Sequence, residues 1–153
     1  MSISSNAFGG CTALTTASFD NCVYIDNRAF GWCYSLNRVT LPNCRYISDT
    51  AFAYCSALST ISLPNCASIG GYAFFSCVHL LSFYLTGSSM VTIEYPDVFS
   101  HTPIADSTAS TGGVYGSIFV PASLYASYIA NAVWSYYSQR FVSLTDEQIL
   151  ALE

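Results

Sequence analysis

The chain has 153 residues, which is enough for one domain with its own hydrophobic core. Only 8% of the residues are charged, whereas 52% are hydrophobic and 16% are aromatic, and this composition excludes an intrinsically disordered chain. Four Lys and Arg residues stand against nine Asp and Glu residues, giving a formal net charge of -5. So few cations cannot neutralise a row of phosphates, so no nucleic-acid partner is expected.

No apolar run approaches the roughly 18 residues that a bilayer-spanning helix needs, so no membrane insertion is expected. The start, Met-Ser-Ile-Ser-Ser-Asn, has neither the basic segment nor the apolar segment of a signal peptide. We therefore expect either a protein that stays inside the cell that makes it or a piece of a longer chain.

An internal repeat of constant length organises the first part of the chain. The dipeptide Ala-Phe begins at positions 7, 29, 51 and 73, so the period is constant, and all the cysteines fall at intervals of half that period. A fixed period in this range is typical of a solenoid, in which successive coils stack on one another. The cysteines are Cys11, Cys22, Cys33, Cys44, Cys55, Cys66 and Cys77.

Each copy of the repeat also predicts one short strand. In the segment Leu58-x-x-Ile61-x-Leu63, apolar residues alternate at the end, as they do in a strand with one buried face. The predicted strands, which would stack in parallel about 4.8 Å apart, lie at about 15–19, 37–41, 59–63 and 81–85. The aromatic rings of the Ala-Phe dipeptides are predicted to stack as a spine, each ring covering the next: Phe8, Phe30, Phe52 and Phe74.

Residues 95–153 break the period and are predicted to cap the last coil, because a solenoid needs its terminal coils covered. A loop at 105–116 is followed by a strand at 117–120 and a helix from Pro121 to about Asn131. A turn of helix, a strand and a last helix opened by a capping box complete the cap; they lie at Trp134–Tyr137, Phe141–Leu144 and from Thr145 onward.

The repeat pattern, Leu-x-x-Ile-x-Leu-x-x-Cys-x-x-Ile followed by Ala-Phe-x-x-Cys-x-x-Leu, resembles the BspA-like class of leucine-rich repeats. The resemblance implies a right-handed leucine-rich-repeat solenoid of short parallel strands, with about four repeats over residues 1–94 and a small α/β cap over 95–153. It also implies secreted or surface-displayed adhesion and recognition, without catalysis, on a bacterium or a phage. Surface members of the family normally carry export or anchoring segments, so a cytoplasmic or virion location stays as the alternative.

The cysteines invite a chemical role that their spacing does not favour. Zinc sites need clustered ligands, so neither a metal nor another cofactor is expected. Neighbours such as Cys33 and Cys55 would lie within disulfide range, but side chains in a ladder point the same way rather than at each other. We predict two columns of buried free thiols, one containing Cys11 and the other containing Cys22. Ser88 would continue the second column, whose thiols could bond the loop backbone of the next coil.

Two sets of residues are candidates for binding, and each also has a structural explanation. Outward positions of the predicted strands carry hydroxyl groups, with Arg38 and Tyr84 as anchors, and this face is either a binding platform or a solvated strand surface. Aromatic residues outside the spine form either an interaction surface or half-buried loop packing. The binding candidates are Arg38, Thr40, Thr60, Ser62, Tyr84, Trp32 and Tyr54.

No catalytic arrangement is visible, because the only histidines, His79 and His101, fall in different parts of the repeat and the acidic residues are scattered. We therefore expect no enzyme. Two functions remain open. One is a recognition and adhesion module with a protein or glycan partner. The other is a structural spacer or assembly element of a larger surface or virion protein. Because Ile3 already occupies a repeat column, the N-terminal edge is expected to self-associate or to join further repeats.

Overall fold

A computed structural model describes residues 1–106 and 113–152. The chain winds as a stack of coils, and one side of the stack is a parallel sheet of five two-residue strands. Equivalent isoleucines pair along this sheet, with Ile25 opposite Ile47 and Ile47 opposite Ile69. Its strands, in spatial order, are β1 (Ser2–Ile3), β3 (Tyr24–Ile25), β5 (Tyr46–Ile47), β7 (Ser68–Ile69) and β9 (Thr92–Ile93). These isoleucines stand at the end of the first part of the repeat pattern, but the sequence did not predict strands there.

A second side of each coil carries the strands that the sequence predicted, each one residue shorter at both ends. They are β2 (Thr16–Ser18), β4 (Arg38–Thr40), β6 (Thr60–Ser62) and β8 (Ser82–Tyr84). They form two parallel sheets, because β2 pairs with β4 and β6 pairs with β8 but no ladder joins the described strands β4 and β6. The second sheet continues into the C-terminal part through β10 (Ser117–Pro121) and β11 (Phe141–Leu144).

The phenylalanine rings form a stack through the centre of the coils. Successive ring centroids from Phe8 to Phe74 lie 5.0, 5.1 and 5.4 Å apart, with planes within 5° of parallel. The stack extends to Phe99, 5.9 Å beyond Phe74, although the step in sequence from Phe74 to Phe99 is longer than the regular period. All of these rings are fully buried except that of Phe8, which is half-buried in the first coil. We name these five rings the Phe spine.

The C-terminal segment closes the far end of the stack with aromatic side chains. It contains α1 (Ala122–Ala130), a 3-10 helix (Trp134–Arg140) and α2 (Asp146–Leu150). The Val91 N–H donates to the Tyr128 hydroxyl at 2.9 Å, and the Trp134 indole N–H donates to the Val91 carbonyl at 2.7 Å. Both of these cap side chains are buried and satisfy the backbone of the last coil, and the Trp134 ring also lies 6.3 Å from the ring of Phe99.

Two further expectations concern the cap. Thr145 and Gln148 form the capping box that opens α2, with the side chain of each bonded to the backbone N–H of the other. Of the predicted loop at 105–116, residues 107–112 lie outside the described residues. Within the described part of the chain, every helix is too short to cross a bilayer.

The Phe spine generates a stability prediction. Phe52 is fully buried between two parallel rings, so Phe52→Ala should lower the free energy of unfolding by about 3–5 kcal/mol, as measured by chemical denaturation. Phe8→Ala is the matched control, because this ring has a neighbouring spine ring on one side only and is already half-exposed. Its loss should be clearly smaller, and equal losses would contradict the structural role given to the stack.

Candidate functional site

A groove lies between the second strand side and the C-terminal helix α2. Its volume is about 1010 Å³. The strand side supplies a polar floor and the C-terminal segment supplies an apolar wall. The residues of the floor and the wall include Arg38, Thr40, Thr60, Ser62, Ile149 and Leu152. We name this feature the strand groove.

The floor of the strand groove follows from strand geometry. Side chains alternate along a strand, so Val39 and Ile61 enter the core while their neighbours face outward. Four of the predicted binding residues are these neighbours, all exposed: Arg38, Thr40, Thr60 and Ser62. The structure thus brings together four residues that the sequence singled out, and Arg38 is the charged group among them.

The wall of the strand groove was not foreseen from the sequence. Ile149 and Leu152 belong to α2 and the turn after it, and α2 has no buried residue. The signal available in the sequence was the group of apolar residues Ile149, Leu150 and Leu152 after the capping box. In the structure Leu150 and Leu152 are 69% and 52% exposed. What could not be read from the chain is that this helix lies beside β4 and β6.

The remaining predicted anchor of the strand face, Tyr84, does not line the strand groove. Its ring stacks on Phe119 at 4.4 Å between centroids and 12° between planes, because β10 pairs with β8 in a register that sets the two residues side by side. The ring is half-buried in this contact. Tyr84 therefore joins the coils to the cap.

The other two predicted binding residues, Trp32 and Tyr54, stack on each other along the turns of adjacent coils. Their centroids lie 5.8 Å apart with planes 12° from parallel. Phe75 meets Tyr54 edge-on at 5.3 Å, and His101 follows at 5.0 Å from Phe75. We name these four residues the outer aromatic ladder. About a third of Trp32 and of Tyr54 is exposed, at 36% and 37%.

The cysteine columns are part of the frame of the coils. In the first column each buried thiol donates to a phenylalanine carbonyl of the preceding coil: Cys33 to Phe8 at 3.0 Å, Cys55 to Phe30 at 3.1 Å and Cys77 to Phe52 at 3.2 Å. These sulfur contacts therefore join one coil to the next.

The second cysteine column consists of buried free thiols, as predicted, but its hydrogen bonds and its continuation differ from the prediction. Cys22 and Cys44 donate to carbonyls of their own coil rather than to the next one. Cys66 bonds within its coil and also contacts the carbonyl of Arg45 in the preceding coil. Ile69 pairs with Ile93, so the repeat is longer than the regular period at this point. By the same step, the residue that follows Cys66 in the column is Met90. Ser88 is exposed and does not continue the column.

The thiols do not form a reactive centre. Burial raises the pKa of Cys44, Cys66 and Cys77 to about 12, so these groups stay protonated at neutral pH. All the cysteines are free, and the described residues hold no group of three His, Cys, Asp or Glu side chains that could bind a metal ion.

The Nδ1 atom of exposed His79 lies 2.7 Å from the carbonyl oxygen of Ser56.

One cysteine departs from the predicted burial. Cys11 is exposed whereas the other six are buried, because it lies in the first coil, where no described coil precedes it.

Ellman's reagent should therefore label one thiol rapidly in native buffer and the rest only after denaturation. A Cys11→Ser variant should lose the rapid phase and keep the slow one. Rapid labelling of two or more thiols in the native protein would contradict the sealed columns.

Comparisons with known proteins agree on the repeat. A model described as a BspA type leucine rich repeat region matches residues 1–111 in six copies. The crystal structure of the T. pallidum leucine-rich-repeat protein TpLRR superposes with a TM-score of 0.66 at 22% identity. That alignment covers 95% of this chain and 64% of the other, so this chain spans less than two thirds of its length.

None of the curated proteins matches the chain. At 22% identity the structural likeness shows the fold alone, a leucine-rich-repeat solenoid of many short parallel strands with a small C-terminal helical cap. Because the repeat model covers more than half of the sequence, this chain belongs to the BspA-type leucine-rich-repeat family.

Proposed function

We propose that the chain is a non-catalytic recognition module that binds an extended segment of a protein partner in the strand groove. The observation that carries the proposal is the pairing of a hydroxylated floor containing one cation with an apolar wall. Leucine-rich repeats typically bind proteins, which supports a protein partner. We also propose that the module is displayed on a cell or virion surface as part of a larger protein.

The lining of the strand groove favours a peptide segment over a small molecule. Its volume of about 1010 Å³, at the upper end of the volumes usual for small-molecule sites, admits either ligand, so the lining decides. Its floor crosses β4 and β6, so an extended chain can lie along it and exchange hydrogen bonds with Thr40, Thr60 and Ser62. Ile149 and Leu152 would contact an apolar side chain of the partner, and removing this apolar surface from water would favour binding.

The Arg38 guanidinium favours an acidic group at one point of the bound segment, although the chain as a whole is acidic. Arg38 is one of four cations in a chain with a net charge of -5, and its side chain is exposed on the groove floor. A guanidinium group can hold a carboxylate through two hydrogen bonds. Arg38 would thus fix the direction in which the segment lies.

The test uses the full chain against an array of purified extracellular-matrix proteins and a glycan array. Thr60→Trp puts an indole on the groove floor and should weaken binding to a captured protein at least about tenfold, or about 1.4 kcal/mol. Thr16→Trp is the matched control, because Thr16 is exposed at the corresponding position of β2 and does not line the strand groove. Equal effects of both substitutions, or no protein bound on the array, would contradict the proposal.

A second candidate function is a structural assembly element, and the first coil favours it. Four apolar residues of this coil are only partly buried, while their counterparts in later coils are buried in the core: Phe8, Leu14, Ala17 and Phe19. Among the strands that the structure describes, β1 and β2 each pair on one side only. An uncovered coil face with free strand edges is suited to stacking on another coil.

Assembly through this face predicts reversible self-association that depends on Phe8. Sedimentation equilibrium over a range of concentrations should show an oligomer that dissociates on dilution. Phe8→Lys should shift the population to monomer, since a charge would be buried in the contact. Tyr136→Lys, at a 69% exposed aromatic position of the cap, is the control and should leave the association unchanged. A monomer at every concentration would exclude self-assembly by this route.

A further inference from the structure

Three of the four members of the outer aromatic ladder, all except Phe75, occupy a backbone position that disfavours aromatic residues. Five successive coils place one residue each in the same turn with a positive φ: Gly10 at 73°, Trp32 at 61°, Tyr54 at 64°, Ser76 at 55° and His101 at 60°. Glycine adopts this left-handed conformation freely, whereas side chains with a Cβ are disfavoured there. Trp32 and Tyr54 nevertheless hold large rings at these positions, with a third of each exposed. The exposure of these rings, rather than the backbone conformation that the turns of the repeat share, makes them candidates for binding.

One face of the Trp32 indole is left open by the preceding coil. Tyr54, in the following coil, stacks on the other face. Gly10 lies on the open side. Its N–H donates to the Gly31 carbonyl just as the Trp32 N–H donates to the Ala53 carbonyl, so Gly10 holds the position equivalent to Trp32 one coil earlier. Gly10 has no side chain, and a Cβ added there would meet nothing within 4 Å. The result is a notch in which one ring of the ladder is missing.

A guanidinium group borders this notch. The Arg28 guanidinium carbon lies over the Trp32 ring at 5.9 Å from its centroid, near the limit of a cation–π contact, and the side chain is exposed. Asp26 accepts from the Asn27 N–H at 2.7 Å and Asp49 accepts from the Gly71 N–H at 2.8 Å, so one oxygen of each carboxylate is bonded to the backbone. The exposed Arg28 guanidinium has several N–H groups that can donate to an anionic ligand lying against the indole.

We propose that this notch, formed by Gly10, Arg28 and Trp32, binds a carbohydrate ring that carries a carboxylate. The C–H face of a pyranose would stack on the open indole face in place of the missing ladder ring, and its carboxylate would bond to the Arg28 guanidinium. The notch is shallow and one ring wide, since adjacent rings of the ladder stand about 5–6 Å apart, so it fits a single sugar unit and offers no channel for a peptide backbone. It shares no lining residue with the strand groove and does not depend on it.

Saturation-transfer NMR on the full chain tests the proposal, with sialyllactose and a glucuronic-acid-terminated disaccharide as probes and lactose as the neutral control. Both acidic sugars should receive saturation from the protein, and lactose should bind at least tenfold more weakly. Arg28→Gln should remove the preference for the acidic sugars, and Trp32→Ala should weaken binding of all three. Equal binding of lactose and the acidic sugars, or no transfer to the acidic sugars, would overturn the proposal.

Two further variants separate the notch from general effects of aromatic or charged surface. Gly10→Tyr would supply the missing ring at a backbone position that already accepts Trp32 and Tyr54, so it should abolish binding while the protein stays folded by circular dichroism. Arg45→Gln is the matched control for Arg28→Gln, because Arg45 lies 5.8 Å from the Tyr46 ring and that ring has Tyr24 beside it in the preceding coil. Arg45→Gln should leave binding unchanged, and a loss as large as that of Arg28→Gln would overturn the assignment.

Discussion

The stacking of one phenylalanine ring on the next is the contact on which the rest of this molecule depends. Adjacent strands of a sheet lie about 4.7–4.9 Å apart, and the parallel rings of the Phe spine stand 5.0–5.4 Å apart. The two spacings agree closely, so ring stacking and backbone hydrogen bonding are satisfied at one coil height. A side chain of another shape in this column would force either the stacking distance or the hydrogen-bond distance away from its optimum.

That agreement explains why the sequence was informative about the frame of the coils. Each core column must pack against copies of itself, so the same residue type recurs, and strands β2, β4, β6 and β8 could be placed to within one residue. What the period could not show were its interruptions. The steps from Ile69 to Ile93 and from Phe74 to Phe99 are both longer than the regular period, and only the pairing of the chain reveals that both continue their columns.

The candidate sites were less accessible to sequence reasoning than the frame, for a physical reason. Arg38 and Thr60 could be identified because alternation along a strand decides which side chains face outward. The wall formed by Ile149 and Leu152 depends on where the cap packs, which no local pattern encodes. Tyr84 shows the same limit, since an outward strand position became a packing position once Phe119 was paired beside it.

The backbone carbonyl groups of the Phe spine residues accept hydrogen bonds from within the coils rather than from side chains on the surface of the turns. The carbonyl oxygen of Phe30 accepts both the N–H of Cys33 and the thiol of Cys55, and that of Phe52 accepts the N–H of Cys55 and the thiol of Cys77. A carbonyl oxygen has two lone pairs, so these acceptors are saturated from within. The turns are thus held together without help from the residues that project from them. The positive-φ position of this turn therefore holds glycine, tryptophan, tyrosine, serine and histidine in successive coils while the winding of the chain stays the same.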